Sequence, residues 1–203
     1  MNPHRKAQLA FRAAALFTRL PWPVLRGVAT ALAWLWVRLD ARESRVTRRN
    51  LELAYPQWDA ATRARVHRQV LRSTALQALE TLRLWSRPAA DNLRLHLRER
   101  HGEALYDAAL AAGKGVIVAA PHFGNWELLN QWLASRGPIA IVYKAPEDEA
   151  GDAFLQLVRG GDNVRQVRAE GAAVRQLFKV LKEGGATGIL PDQQPKAGDG
   201  VFV

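Results

Sequence analysis

Short apolar runs alternate with amphipathic stretches through the second half of this sequence, and this alternation limits the folds that the chain can adopt. The runs resemble buried strands, and the stretches between them repeat apolar residues at helical spacing. The predicted elements are helices over 102–112, 126–136, 152–158 and 171–182 and strands over 115–120, 139–143, 164–167 and 186–190. Because parallel strands are joined by helical crossovers, this order predicts an α/β fold with a mostly parallel sheet flanked by helices.

Positive charge is concentrated in the first half of the chain. Residues 1–100 carry 19 basic and 7 acidic side chains, whereas residues 101–203 carry 10 and 12. Arginine supplies 23 of the 29 basic residues, and its planar guanidinium matches phosphate oxygens. A uniformly basic nucleic-acid-binding protein would not divide in this way. The excess of arginine predicts a polyanionic partner, and the unequal division of charge favours a surface-binding segment joined to a catalytic or ligand-binding core.

The N-terminal segment has the composition of a membrane-surface element. A helix predicted over 5–20 places arginines along one stripe and apolar residues on the other side. The uncharged run 27–37 is flanked by arginine and tryptophan, and it is shorter than the roughly 20 apolar residues that cross a bilayer. We therefore predict that residues 1–45 are helical and associate with an anionic membrane surface, on its cytoplasmic side. The alternative is a soluble hydrophobic hairpin packed on the core.

Residues 46–203 are predicted to form the α/β domain. Helical spacing of apolar residues predicts a helix over 59–87 before the first strand of the sheet. Leucines that alternate with basic residues over 93–97 predict a short strand. The chain has no cysteine, which excludes a disulfide framework, a zinc–thiolate module and a cysteine nucleophile.

The turn after the strand over 115–120 carries residues suited to catalysis, because active sites of such sheets lie at the carboxyl ends of strands. His122 lies in this turn, and Glu127 lies in the first turn of the next predicted helix. If Gly124 supplies a bend and Asn125 caps the helix, the Glu127 carboxylate reaches the imidazole. A carboxylate on the far ring nitrogen would fix the tautomer and raise the basicity, as a general base requires. A purely structural histidine is the alternative.

The residues around this turn resemble those of a known family. The stretch PHFGNWE at 121–127 resembles the H-x4-D/E block of the lysophospholipid acyltransferase superfamily. Its GNWE core is similar to the branch of lipid A biosynthesis late acyltransferases, which comprises lauroyl and myristoyl transferases. Further blocks of this branch resemble RRNLELAYP at 48–56, VYK at 142–144, LPDQQP at 190–195 and GVFV at 200–203. Lys144 stands where the branch has arginine, which keeps the charge but loses the bidentate fork.

No further ligands at recognisable spacing accompany His122, so we predict no metal site. The resemblance implies an acyl transfer without a cofactor or a covalent enzyme intermediate. An acyl carrier protein thioester would donate the fatty acyl chain, and a hydroxyl of a lipid A precursor would accept it. His122 would act as the general base, and Glu127 would orient the imidazolium that forms. The substrate-binding residues would be Asn125, Lys144, Asp192 and Gln193. For Asp192 and Lys144, ordinary turn and surface roles stay open.

The resemblance also implies a place of action and leaves alternatives open. The enzyme would work at the cytoplasmic side of the inner membrane of a Gram-negative bacterium. Members of the family usually run longer, with a further F-F-G block, so we expect the α/β domain to be incomplete at its C-terminus. The alternatives are transfer to lysophosphatidic acid or another lysophospholipid, an inactive truncated remnant, and a basic nucleic-acid-binding module. No single-strand, zinc or homeodomain signature is present, so we predict no nucleic-acid partner.

Overall fold

The computed structural model describes residues 1–192 of the chain. Its helices are α1 (Pro3–Phe17), α2 (Trp22–Arg38), α3 (Arg42–Ala54), α4 (Ala60–Trp85), α5 (Ala89–His96), α6 (Glu103–Ala111), α7 (Trp126–Arg136), α8 (Glu149–Arg159) and α9 (Ala173–Lys182). Its strands are β1 (Val116–Ala119), β2 (Ile139–Tyr143), β3 (Val164–Arg168) and β4 (Ala186–Ile189). The chain divides into two compact units, a helical unit of residues 12–86 and a sheet unit formed by residues 1–11 and the residues from Arg87 onward.

The sheet unit contains one four-stranded sheet in the order β1-β4-β2-β3, and every pairing is parallel. This confirms the predicted parallel α/β architecture. The last strand in the chain, β4, lies between β1 and β2, with Ala119 of β1 opposite Ile189 of β4. The carboxyl ends of β1 and β4 are therefore neighbours, which brings the turn after residue 120 beside the residues after 190.

Helices cover both faces of this sheet at the inner strand β2, which is apolar on both sides, whereas the edge strand β1 leaves Ile117 62% exposed. Ile139 and Ile141 point to one face, where they pack with Leu133 of α7. Ala140 points to the other face and packs with Val180 of α9. Alternate residues of a strand point to opposite faces, so a run of consecutive apolar residues produces two cores.

The helical unit is organised around α4, which packs against α2 and α3. Leu25 and Ala29 of α2 form a core with Ala75 and Leu79 of α4. The two alanines are fully buried and have no side chain beyond Cβ, which lets the helix axes approach closely. On the other side, the buried His67 of α4 places Nε2 3.1 Å from the hydroxyl of Ser44 on α3.

Most predicted elements of the sheet unit are confirmed, and one is wrong. The helix over 126–136 and the strand over 139–143 are found with the predicted bounds. The strand predicted over 93–97 is instead the end of α5, because Pro88 occupies its N-cap and Asn92 is fully buried against α7. The Asn92 amide donates to Gln131 Oε1 at 3.0 Å. A short helix that packs on only one side can also carry leucines at every second position, because some of them then face solvent. Leu95 is such a residue, since it is exposed.

The boundaries of the two compact units do not coincide with the predicted division at residue 45. That division separates a membrane-associated segment from a catalytic domain by function, and it stays a prediction. The outward side of α2 in the helical unit is largely apolar, and Val24, Val28, Trp34 and Leu35 are all exposed there. Among the described helices, none is by itself long and apolar enough to cross a bilayer. Only α1 and α2 taken together satisfy that test, as a pair bent by 114°.

Candidate active site

The turns beyond β1 and β4 form the candidate site at the carboxyl edge of the sheet. The backbone N–H of Ala120 donates to Ile189 O at 3.0 Å, so the segments that follow β1 and end β4 stay paired one residue past β1. Gly124 has a φ of 66° and turns the chain sharply before α7, as the sequence predicts. This bend leaves His122 in a short, partly exposed segment between β1, which is less buried than the sequence predicted, and α7.

Asp192 holds His122 through two hydrogen bonds. One carboxylate oxygen lies 2.7 Å from Nδ1 of the imidazole, and the other accepts the backbone N–H of His122 at 2.8 Å. These two bonds, the side-chain one first, lower the pKa of Asp192 below its ordinary value. The carboxylate therefore stays ionised at neutral pH, and the two bonds weaken only when acid protonates it, at a pH below the ordinary aspartate range.

An ionised carboxylate only accepts hydrogen bonds, so Nδ1 of His122 carries the proton that is shared with Asp192. In the neutral form of the imidazole, the other ring nitrogen, Nε2, then carries the lone pair. The imidazole side chain is 36% exposed, so this nitrogen belongs to a group that is open to solvent. A ring fixed in this tautomer by a carboxylate can remove a proton from a substrate and be stabilised as an imidazolium.

The Glu127 carboxylate has a different partner from the one that the sequence predicted. It lies on the first turn of α7 and is only 4% exposed, and the guanidinium of Arg159, itself 9% exposed, binds it. Arg159 Nε donates to Glu127 Oε1 at 2.8 Å, and Arg159 Nη2 donates to the same oxygen. The guanidinium carbon also lies 4.7 Å from the ring centre of Trp126. The expected carboxylate on Nδ1 of His122 thus comes from Asp192, because β4 lies beside β1 in the sheet.

Of the other predicted substrate-binding residues, the structure describes Asn125 and Lys144, which lie at the same edge of the sheet. Asn125 occupies the N-cap position of α7, but its side chain makes no capping hydrogen bond to that helix. Lys144 directly follows β2, is exposed, and makes no ion pair with any residue that the structure describes. Gln193 and the block at 200–203 lie outside the described residues. Phe123, next to His122, is 86% exposed.

The described part of the chain contains no cluster of three or more His, Asp or Glu side chains suited to a metal ion. Two functional contacts escaped the sequence interpretation. The sequence marked Asp192 as a substrate-binding candidate through its block at 190–195, but not as the partner of His122, which the strand order decides. Arg159 ends α8, and no sequence pattern connects it with a carboxylate 32 residues earlier.

The fold and the site define the sheet unit as an α/β protein with a histidine–aspartate pair at the carboxyl ends of parallel strands, which is typical of enzymes that use a general base. The chain itself belongs to the family of bacterial lipid A biosynthesis acyltransferases, whose sequence model matches residues 7–203.

Individual relatives agree with this assignment. The chain is 26% identical over 180 residues to a lipid A biosynthesis palmitoleoyltransferase of Escherichia coli, which covers 88% of this chain and 57% of the relative. It is 25% identical over 188 residues to the lipid A biosynthesis lauroyltransferase of the same organism, covering 93% and 60%. A phosphatidylinositol mannoside acyltransferase of Mycobacterium tuberculosis is 57% identical over 30 residues, or 15% of this chain and 10% of the relative. The chain thus spans less than two thirds of the length of the lipid A acyltransferases that it matches.

Proposed function

We propose that this protein transfers a fatty acyl group from an acyl carrier protein thioester to a hydroxyl of a lipid A precursor. The observation that carries the proposal is the His122–Asp192 pair, which lies at the carboxyl edge of a parallel sheet in a member of the lipid A acyltransferase family. The names of the curated relatives support lipid A as the acceptor.

The imidazole supplies the proton transfers that this reaction needs. His122 Nε2 removes the proton of the acceptor hydroxyl while its oxygen attacks the thioester carbonyl, and Asp192 stabilises the imidazolium. The carbon–sulfur bond then breaks, and the departing thiolate takes a proton from the imidazolium. The products are an ester and the free thiol of the carrier, and no covalent enzyme intermediate forms. General base catalysis of this kind contributes about 10²- to 10⁴-fold to the rate.

The other predicted residues receive supporting roles in this proposal. Lys144 is an exposed cation beyond β2 and suits a phosphate of the acceptor. Asn125 stands where the first N–H groups of α7 begin, and such groups stabilise the oxyanion that forms on the thioester carbonyl. Gln193 follows Asp192 in the sequence and is proposed to hydrogen-bond the acceptor. The orienting role of Glu127 stays a prediction, since its carboxylate is bound to Arg159.

The proposed acceptor is a lipid, so the enzyme has to work at a membrane surface. Removing an acyl chain from a bilayer costs about 0.8 kcal/mol per CH₂ group. The exposed apolar side of α2, with Trp34 65% exposed, supports contact of the helical unit with lipid. We place the protein at the cytoplasmic side of the inner membrane of a Gram-negative bacterium, because basic segments stay on that side.

A second acceptor class follows from the resemblance of the turn at 121–127 to the lysophospholipid acyltransferase superfamily. A phospholipid-derived acceptor, such as lysophosphatidic acid or another lysophospholipid, would use the same proton transfer. Presenting the purified protein in detergent with acyl carrier protein thioester and each acceptor in turn separates the two classes. We expect the lipid A precursor to be acylated fastest.

The assignment of the general base is tested by two substitutions and a matched control. His122→Ala is expected to lower turnover by at least about 10³-fold, and Asp192→Asn by about 10²-fold, because the asparagine amide no longer fixes the required tautomer. His101→Ala is the control, since the His101 side chain is 90% exposed and contacts only surface groups. Circular dichroism should show native helix content for all three variants. Wild-type turnover in His122→Ala would remove the imidazole from the mechanism.

A further inference from the structure

Helix α9 presents a cationic stripe on its outward side. Arg175, Phe178, Lys179 and Lys182 follow one another at helical spacing and line a shallow depression of about 720 Å³ together with Glu183. The opposite side of α9 packs on the sheet through Leu177 and Val180. The phenyl ring of Phe178 is 58% exposed in the middle of this stripe. We call these four residues the α9 stripe.

Neighbouring carboxylates neutralise the charges of the α9 stripe only in part. Lys179 lies 4.0 Å from Glu183, at the limit of an ion pair, and Arg175 and Lys182 make no ion pair within residues 1–192. Residues 101–203 have more acidic than basic side chains, 12 against 10. Three of those ten cations nevertheless stand on one side of a ten-residue helix. The clustering produces a local positive field in a half of the chain that is otherwise acidic.

The topology of the sheet connects this stripe with the candidate site. Helix α9 links β3 to β4, and both strands run parallel to β2. The helix therefore begins at the carboxyl edge of the sheet, where His122 lies, and runs toward the opposite edge. From Arg175 to Lys182 the stripe rises about 10 Å along the helix, at 1.5 Å per residue. A partner bound along α9 would therefore reach, at the N-terminal end of this helix, the same edge of the sheet at which the imidazole lies.

We infer that the α9 stripe docks an acidic helix of the acyl carrier protein that delivers the thioester, an inference that rests on the proposed function. The stripe is one helix wide, and its cations alternate with an exposed aromatic ring, which suits a helix that carries carboxylates and an apolar residue. A bilayer is the alternative occupant, and it is favoured less here because the exposed tryptophan that supports lipid contact, Trp34, lies on α2 and not on this helix.

The experiment measures carrier binding separately from acyl transfer. Affinity of the full chain in detergent for an apo acyl carrier protein is measured by biolayer interferometry, for the wild type and for Arg175→Glu/Lys179→Glu/Lys182→Glu. We expect the triple reversal to weaken binding by at least about tenfold and to reduce its dependence on salt. The control is Arg42→Glu/Arg45→Glu/Arg49→Glu, which makes the same charge change on exposed positions of α3 and should alter affinity less than about twofold.

A milder variant keeps the test valid if the reversal unfolds the protein. Arg175→Gln/Lys179→Gln/Lys182→Gln should weaken binding in the same direction, and it should raise KM for the acyl carrier protein donor while leaving turnover of an acyl-pantetheine donor unchanged.

The possible outcomes separate the inference from the function on which it rests. Unchanged carrier affinity in folded α9 variants of an active enzyme overturns the docking inference alone. If the wild-type protein binds the carrier through the α9 stripe but transfers no acyl group, the proposed function is overturned and the docking inference stands. Association of the α9 variants with vesicles that contain anionic phospholipid is measured as well. If the variants bind the carrier as the wild type does but no longer associate with the vesicles, the stripe binds the membrane and the docking inference is overturned.

Discussion

Two carboxylates near His122 have different surroundings and therefore different expected roles. The Asp192 side chain is 40% exposed, and its carboxylate accepts two hydrogen bonds from His122. The Glu127 side chain is 4% exposed and is bound by the guanidinium of Arg159. A partly exposed carboxylate can keep its hydrogen bond to an imidazole while the ring gains and loses a proton during catalysis. A buried one that is bound to a buried guanidinium is held in place, because breaking the pair leaves an unpaired charge in the interior.

Replacing Glu127 is expected to destabilise the fold rather than act on the chemistry alone. Glu127→Gln removes one charge of the buried pair, and we expect the free energy of unfolding to fall by about 3–5 kcal/mol, as measured by urea denaturation. Asp192→Asn, which alters a partly exposed group, should leave the urea midpoint nearly unchanged.

The double variant Glu127→Leu/Arg159→Met separates the structural role of Glu127 from a chemical one. Removing both charges restores a neutral interior, so most of the lost stability should return. If the carboxylate serves only to hold α7 and α8 together, the folded double variant should recover part of its turnover. A stable but fully inactive double variant would instead place Glu127 in the chemistry, as the sequence resemblance implies.

At the scale of single elements, the position of β1 depends on a close backbone contact. Gly115 precedes this strand with a φ of 78°, and a Cβ there would lie 2.5 Å from the carbonyl oxygen of Leu181 at the end of α9. Only glycine accommodates both the left-handed backbone and the contact. The strand that leads to His122 is thus fixed against the helix that carries the α9 stripe.

Gly115→Ala should therefore cost more stability than the same change two residues earlier. Gly113 also has a positive φ, 66°, but a Cβ there meets nothing within 4 Å. We expect Gly113→Ala to lower the free energy of unfolding by about 1–2 kcal/mol, which is the cost of the left-handed backbone alone. Gly115→Ala should lower it by at least about 2 kcal/mol more, because backbone atoms have to move. Equal unfolding midpoints for the two variants would show that the contact with Leu181 is not close in solution.

At the scale of the whole molecule, charge and exposed apolar surface are distributed unequally along the chain. The first hundred residues carry 19 of the 29 basic side chains. In the helical unit, α2 exposes apolar side chains on the side that does not pack on α4, while Arg26 and Arg72 line a groove together with Trp34. Exposed tryptophan beside arginine is typical of proteins that bind the interface of an anionic bilayer.

The contact of α2 with lipid is tested by replacing its most exposed aromatic residue. Trp34→Ser should reduce sedimentation with vesicles that contain anionic phospholipid by about tenfold, because the side chain no longer enters the interface. Trp58→Ser is the control, since the Trp58 ring stacks on Tyr55 at 3.9 Å within its own loop. Vesicle binding that falls equally in both variants would contradict a specific role for α2.

The parallel sheet was predictable because buried strands and amphipathic helices leave a local record in the order of apolar residues. Consecutive apolar residues in β2 indicate a strand covered on both faces, and that is how the strand packs. The helix from Ala60 was predictable for a similar reason, since Asp59 caps it by accepting the Thr62 N–H at 2.6 Å. The segment 93–97 was mispredicted because its helical state depends on Asn92 bonding to Gln131 in another element.

By itself, the sequence determined the kind of fold, the position of His122 in the turn beyond a strand, and the resemblance of that turn to an acyltransferase block. These features are local, because each depends on residues a few positions apart. Tertiary structure alone decided which carboxylate meets the imidazole. The insertion of β4 between β1 and β2 brings Asp192 to a histidine 70 residues away, while the start of α7 and the end of α8 bring Glu127 to Arg159. Strand order is set by the competition of whole surfaces for burial, and no short stretch of sequence records its outcome.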